Sequence, residues 1–313
     1  MMNRISSRSI QPILSLLDEG LLIYRRHFFR FVLIAALWIV PTAIVGGLII
    51  NAMAWTSDTN IMLIALAAVV LLLPLMLYTL GSLSRAAHAA ISGQAVLIGH
   101  ALRIPFRQLL GMSAFVIVYG VFMYIITSSL FIILLCPIYI FGLFGVGFLS
   151  VLDAGSSMAT GILFGLFFAI IYLFSIAVSG AGYSSIIYVI QPWVAQRTTF
   201  GKAIQQSLEI STHGLLRNIS VWMASALMLA ALVLIVSASI GVLTTLPLMS
   251  ALGTESRLAQ AGSLAALLLG MAVVLPPLPI WMALLYRRNL AIRSGAKLDA
   301  AIQEWAAIEN ART

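Results

Sequence analysis

Thr59-Asn-Ile-Met-Leu-Ile-Ala-Leu-Ala-Ala-Val-Val-Leu-Leu-Leu-Pro-Leu-Met-Leu-Tyr-Thr-Leu-Gly-Ser-Leu-Ser84 runs without a charged side chain. A helix needs only ~20 such residues to cross the hydrocarbon core of a bilayer. The same reading extends in both directions along the chain. Phe31 to Ser57, Gln108 to Leu152, Ala154 to Gln196, Asn218 to Thr254 and Leu258 to Tyr286 are equally free of charge. Six crossings follow as the minimum, so the expected fold is all-α, a polytopic transmembrane helix bundle. Composition agrees: 62% of the residues are hydrophobic and 8% charged, against about 25% charged in an ordinary soluble domain.

Six crossings sort the charges. Sixteen of the seventeen Lys and Arg and six of the nine Asp and Glu fall on one side, which carries +10, while the other carries −2, within a total of +8. Basic loops stay in the cytoplasm, so both termini are expected there. Anionic lipid beside these loops, at roughly 1 kcal/mol per basic residue, accounts for the charge, and no nucleic acid is expected as a partner. No removable signal peptide is read in the first thirty residues. The single cysteine, Cys136, forms no intrachain pair.

Three stretches preceding outward-going helices resemble one another: Leu14 to Arg30, Ala95 to Arg107 and Ala203 to Arg217. Each is partly polar and ends in Arg before a span. They read as interfacial amphipathic helices, apolar towards lipid, with Arg25, Arg26, Arg30, Arg103, Arg107 and Arg217 as candidate contacts for lipid headgroups. This suggests three repeats of interfacial helix plus hairpin, the alternative being shared membrane-entry grammar. Residues 1–30 form a cytoplasmic interfacial helix in this division, 31–286 the six-span domain and 287–313 a cytoplasmic tail. That tail carries Leu298, Ile302, Trp305 and Ile308 on one helical face. Between Arg107 and Arg197 only Asp153 is charged, and each flanking run has room for one long helix or two crossings. Six spans are preferred over eight because Asp153 has no neighbouring Lys or Arg to hold its loop inside.

No ionisable residue falls within the six helix cores, which argues against ion-coupled transport and against carboxylate chemistry at membrane depth. No Gly-x-Ser-x-Gly elbow or intramembrane histidine supports serine chemistry. His27, His88, His100 and His213 lie at the basic face without close ligand spacing, so no metal and no cofactor are expected. The most polar helical stretch supplies Tyr172, Ser175, Ser179 and Tyr183 as candidate cavity residues. Pro276, Pro277 and Pro279 must bend or interrupt the last span and are candidates for a site at a discontinuous helix. Gly161-x-x-x-Gly165 and Ser179 to Gly182 allow close helix approach, within one chain or between copies in a homo-oligomer.

Ile13 to Arg30, leading into a span with Pro41, resembles the start of the membrane domain attached to some bacterial glycerophosphodiester phosphodiesterases, and of related stand-alone inner-membrane proteins. Ser84 to Gly93 followed by Ala101-Leu-Arg103, and Phe200 to Ser207 leading to Arg217, fit the same pattern. The resemblance implies a six-helix bundle with interfacial helices in a bacterial inner membrane. Phosphodiesterase activity does not follow, because in the fused enzymes it belongs to a separate barrel domain that this sequence lacks. Where such proteins carry a Glu after the fourth span, Gln196 stands beside Arg197. The functional expectation is a non-catalytic module that interacts with membrane lipids or organises a membrane-protein partner. A permease for a neutral or lipid-like solute is the alternative.

Overall fold

The computed structural model describes residues 3–52, 58–149, 157–196, 200–212 and 214–295. The described chain is helical apart from short connections. Helix α1 covers Asn3–Arg26, α2 Phe28–Ala52, α3 Asp58–Ile91, α4 Ile98–Ala101, α5 Phe106–Leu149 and α6 Ser157–Val189. There follow α7 Gln191–Gln196, α8 Phe200–Thr212, α9 Leu215–Ile240, α10 Leu246–Leu252, α11 Arg257–Val274 and α12 Pro277–Arg293. Six helical stretches are long and apolar enough to cross a membrane: within α2, α3, α5, α6 and its α7 extension, α9 with α10, and α11 with α12. The protein is therefore a multi-pass membrane protein. Its outward surface fits that solvent, since large side chains such as Met62 and Leu71, 77% and 73% exposed, have no reason to face water.

The middle region resolves into one helix on each side. The 44 residues of α5 are continuous, about 66 Å at 1.5 Å per residue, roughly twice the ~30 Å hydrocarbon core. Helix α6 is likewise unbroken over 33 residues. Two crossings apiece would need a turn within each. The connection bearing Asp153, the turn with Trp55 and the tail beyond 295 lie outside the described residues.

The spans close into a ring. Helix α2 packs between α3 and α11, α9 between α11 and α6, and α5 between α6 and α3. The last span contributes twice, because it changes direction at Leu275-Pro276. Helix α11 stands in the ring beside α2 and α9, while α12 enters its centre, touching α3, α6 and α9. Every residue from Pro277 to Tyr286 is buried, as expected of a helix apolar all round. Helix α12 is thus a plug filling the end of the ring that bears the arginines.

The prolines make this geometry possible. Pro277 has no N–H, so the carbonyl of Val273, four residues earlier, loses its helical partner. The Tyr24 hydroxyl on α1 donates to that carbonyl at 2.6 Å, and Leu278 N donates to Leu275 O at 3.3 Å. Donors from elsewhere thus replace what the break removes, which is the condition for irregular backbone in a membrane bundle. A milder adjustment appears at Pro247, which follows a single π turn over Gly241–Thr245 joining α9 to α10.

Two readings of the basic-end segments need correction. The apolar face of α1, formed by Leu16, Leu17 and Tyr24, is buried in protein and packs on α12, so the protein itself covers most of the face assigned to lipid. Trp281 lies across Gly20, where a Cβ would stand 2.3 Å from the indole, and its Nε1 donates to Leu17 O at 3.0 Å. The second segment, Ala95 to Arg107, is no interfacial helix. It contains only the single turn α4, and the approach to Pro105 disfavours helical backbone at Ile104. Side chains satisfy its carbonyls instead: Arg30 donates to Val96 O at 2.9 Å, Tyr78 to Leu102 O and Arg85 to Arg103 O. The third segment does hold a helix, α8.

Candidate membrane cavity

Above the plug the six spans do not meet. They line a partly open cavity of about 1340 Å³, walled by Ala35 and Trp38 of α2, Leu73 to Leu83 of α3, Val116 to Tyr124 of α5, Tyr172 to Ile187 of α6 and Ala226 to Ala238 of α9. Leu275 and Leu278, on either side of the proline break, complete it. The wall is apolar because these helices are apolar on every face, and their inward faces share that character. Its polar atoms are a few hydroxyls, from Thr79, Tyr124, Tyr172, Ser179, Tyr183, Ser184 and Ser237, together with the Trp38 indole. No charged side chain is among the lining residues.

Three of the hydroxyl residues singled out from sequence, Tyr172, Ser179 and Tyr183, face this space. Ser175 does not line it, and its hydroxyl is buried without a partner among the described residues. Pro276, Pro277 and Pro279 are buried beneath the floor and act through the leucines they position. The small-residue run serves packing within the chain: a Cβ at Gly180 would lie 2.4 Å from Ala226 Cβ of α9. Gly165 faces open space, and the Gly161 position is outside the described side-chain environment.

The candidate headgroup arginines Arg25, Arg26, Arg30, Arg103 and Arg217 are all exposed; Arg30 also donates to Val96 O and Arg217 to Asn289 Oδ1. The side chain of Arg107 is outside the described set. Burial, with Arg30 and Arg26 nearby, lowers the pKa of His27 below its ordinary value, so that imidazole adds little charge to the basic end. Among the described residues no group of His, Cys, Asp and Glu is arranged to hold a metal ion.

A polar network missed in the sequence fastens the plug. Asn289 of α12 donates from Nδ2 to Tyr188 Oη and to Asn218 Oδ1, both at 2.8 Å, while its Oδ1 accepts from Arg217. Beside it, Gln191 Nε2 donates to Ser84 Oγ at 3.1 Å and Ile187 O at 2.8 Å. That fixes the amide orientation, so Gln191 Oε1 accepts from His88 Nε2 at 3.0 Å. Aromatic rings fill the remainder, with Tyr188 5.6 Å from Trp222 and His88 6.0 Å from Tyr286. The signal was present as uncharged amides at span ends, Gln191, Asn218 and Asn289, where a charge-based reading does not look. At the surface, Arg288 pairs with Glu19 at 2.6 Å and Arg293 with Glu209. Comparison of the chain with protein-family models, curated proteins and solved structures finds no match.

Proposed function

We propose that this is a non-catalytic lipid-handling protein of a bacterial cytoplasmic membrane, with both termini in the cytoplasm, which holds an uncharged, chain-bearing molecule in its central cavity. The observation that carries the reading is the cavity itself, about 1340 Å³ of partly open, mainly apolar space lined by all six spans. At ~30 Å³ per water-sized group it has room for roughly 45 such groups, the scale of two long acyl chains. Water has few polar partners there, whereas hydrocarbon matches the wall. The exposed Arg25, Arg26 and Arg103 suit a basic face resting on anionic headgroups.

A carrier for the same class of molecule is the second reading. It is favoured by the broken last span, whose halves form wall and plug separately, a device of transporters with discontinuous helices. Native mass spectrometry of the full chain, extracted gently with its lipids, tests the shared premise. Wild type is expected to retain one defined neutral lipid. The double variant Val121→Trp/Ala230→Trp, which directs two indoles into the cavity, is expected to lose it while keeping helix content and a monodisperse elution. Retention of the same lipid by that variant, or none by wild type, would exclude the proposal.

A further inference from the structure

Between α5 and α6 the cavity continues into a side pocket of about 340 Å³. Gly120, Tyr124, Ser179, Tyr183 and Ile186 line both spaces, which are therefore continuous. The wall changes character at this point. Five hydroxyl-bearing residues, Tyr124, Thr127, Ser128, Ser179 and Tyr183, line a partly open pocket only a quarter the size of its apolar neighbour. Thr127 donates its proton to Met123 O at 2.8 Å and keeps its lone pairs. Among the described residues, the hydroxyls of Tyr124, Ser128, Ser179 and Tyr183 have no hydrogen-bond partner. Tyr124 and Tyr183 are 70% and 69% exposed, and a Cβ on Gly120 would meet nothing within 4 Å.

Hydroxyls set at membrane depth are unfavourable unless something other than hydrocarbon meets them. Four free hydroxyls around one pocket thus specify a polar guest. They specify its charge as well: hydroxyls donate and accept, but a phosphate or carboxylate at this depth needs a cation, and neither space is lined by one. The pocket holds roughly eleven water-sized groups at ~30 Å³ each, enough for a glycerol unit with its ester. Resting on the cavity reading above, we infer that the side pocket is the headgroup subsite of the central cavity and selects lipids of the neutral glyceride class. The free glycerol hydroxyls meet Tyr124, Ser179 and Tyr183 while the ester and acyl chain lie in the apolar space.

Three stearoyl compounds that differ only at the head test this: monostearoylglycerol, methyl stearate and stearoyl lysophosphatidate, each titrated into the full chain in detergent and followed by native mass spectrometry. Wild type is expected to hold the glyceride at least about tenfold more tightly than the methyl ester, as two to three hydrogen bonds provide. The variant Tyr124→Phe/Ser179→Ala/Tyr183→Phe keeps shape and is expected to lose that preference, with methyl stearate binding unchanged within about twofold. Equal affinities for glyceride and methyl ester in wild type, or an undiminished preference in the variant, would overturn the subsite and leave the cavity reading intact. Tightest binding of the lysophosphatidate would overturn the neutral class. Displacement of the glyceride by free glycerol at millimolar concentration would assign the pocket to a free polyol instead. If none of the three binds wild type, the cavity reading falls too.

Discussion

Tyr24→Phe removes one oxygen atom and nothing else of substance, which makes it the sharpest test of how the broken span is held. The ring sits against Phe28 and Phe31, with centroids 5.3 and 6.2 Å away, and the residue is 9% exposed, so phenylalanine preserves the packing. What is lost is the 2.6 Å bond to Val273 O, the carbonyl that Pro277 deprives of its helical donor. An ordinary hydrogen bond contributes ~0.5–1.5 kcal/mol, and leaving a buried partner unsatisfied costs about 1–3 kcal/mol. With no backbone donor to replace the phenol, we expect a loss of about 2 kcal/mol. Burial raises the Tyr24 pKa above its ordinary value, so the donor persists, and the effect is independent of pH below ~10. Pro277→Ala restores an N–H four residues from Val273. In that background Tyr24→Phe should cost only about 0.5 kcal/mol, giving a coupling of ~1.5 kcal/mol. Graded unfolding of the four proteins in mixed micelles, followed by tryptophan fluorescence, measures this cycle. Equal costs in the two backgrounds, or a Tyr24→Phe effect under ~0.3 kcal/mol, would refute the argument that α1 completes the proline break.

Two further perturbations probe the plug. Asn289→Ala removes the amide that donates to Tyr188 Oη and Asn218 Oδ1 and should cost about 1–3 kcal/mol, the cost of leaving a buried polar group unsatisfied, with a loss below ~0.5 kcal/mol in the same unfolding assay showing that the network does not hold α12. Gly20→Ala gains ~1 kcal/mol in helix propensity but forces a methyl to within 2.3 Å of the Trp281 ring, itself 0% exposed. Overpacking of this kind costs ~1–3 kcal/mol, so amide exchange should accelerate across α1 and not across α6; unchanged protection of α1 would contradict the clamp.

Much of the fold was legible because charge is costly in hydrocarbon. The uncharged runs located all six spans, and Thr59 to Ser84 falls within α3. Ring closure was not legible, since helices such as α5 and α6 are nearly uniform around their axes and do not announce which face meets which neighbour. The loop at Ala95 to Arg107 was misread for a related reason: its carbonyls are satisfied by Arg30, Tyr78 and Arg85, donors far away in sequence, so local pattern alone made it look like a third amphipathic helix. Of the candidate site, the α6 hydroxyls Tyr172, Ser179 and Tyr183 stood out against their background. Their counterparts on α5, Tyr124 and Thr127, were hidden because nothing in a single strand of sequence shows that Gly120 leaves open space or that α5 lies beside α6.

The division of the last span gives the proposed ligand its direction of approach. Towards the basic end α12 is buried from Pro277 to Tyr286 and fastened through Asn289 to α6 and α9, while α1 covers it from outside through Trp281 and Tyr24. Passage there would require breaking a buried polar network together with the aromatic packing around it, whose members all respond as a unit. At the wall formed by α5 the situation is reversed. Its contacts with α3 gather near the basic end, around Leu77, Met112 and Val116, and beyond them Gly120 meets nothing. Under the cavity reading an apolar molecule enters from the bilayer beside Gly120, and its first polar encounter is with Tyr124 and Tyr183. The same two tyrosines border both the side pocket and the main cavity, so under this reading they meet the headgroup before the chain is housed and fix its depth afterwards.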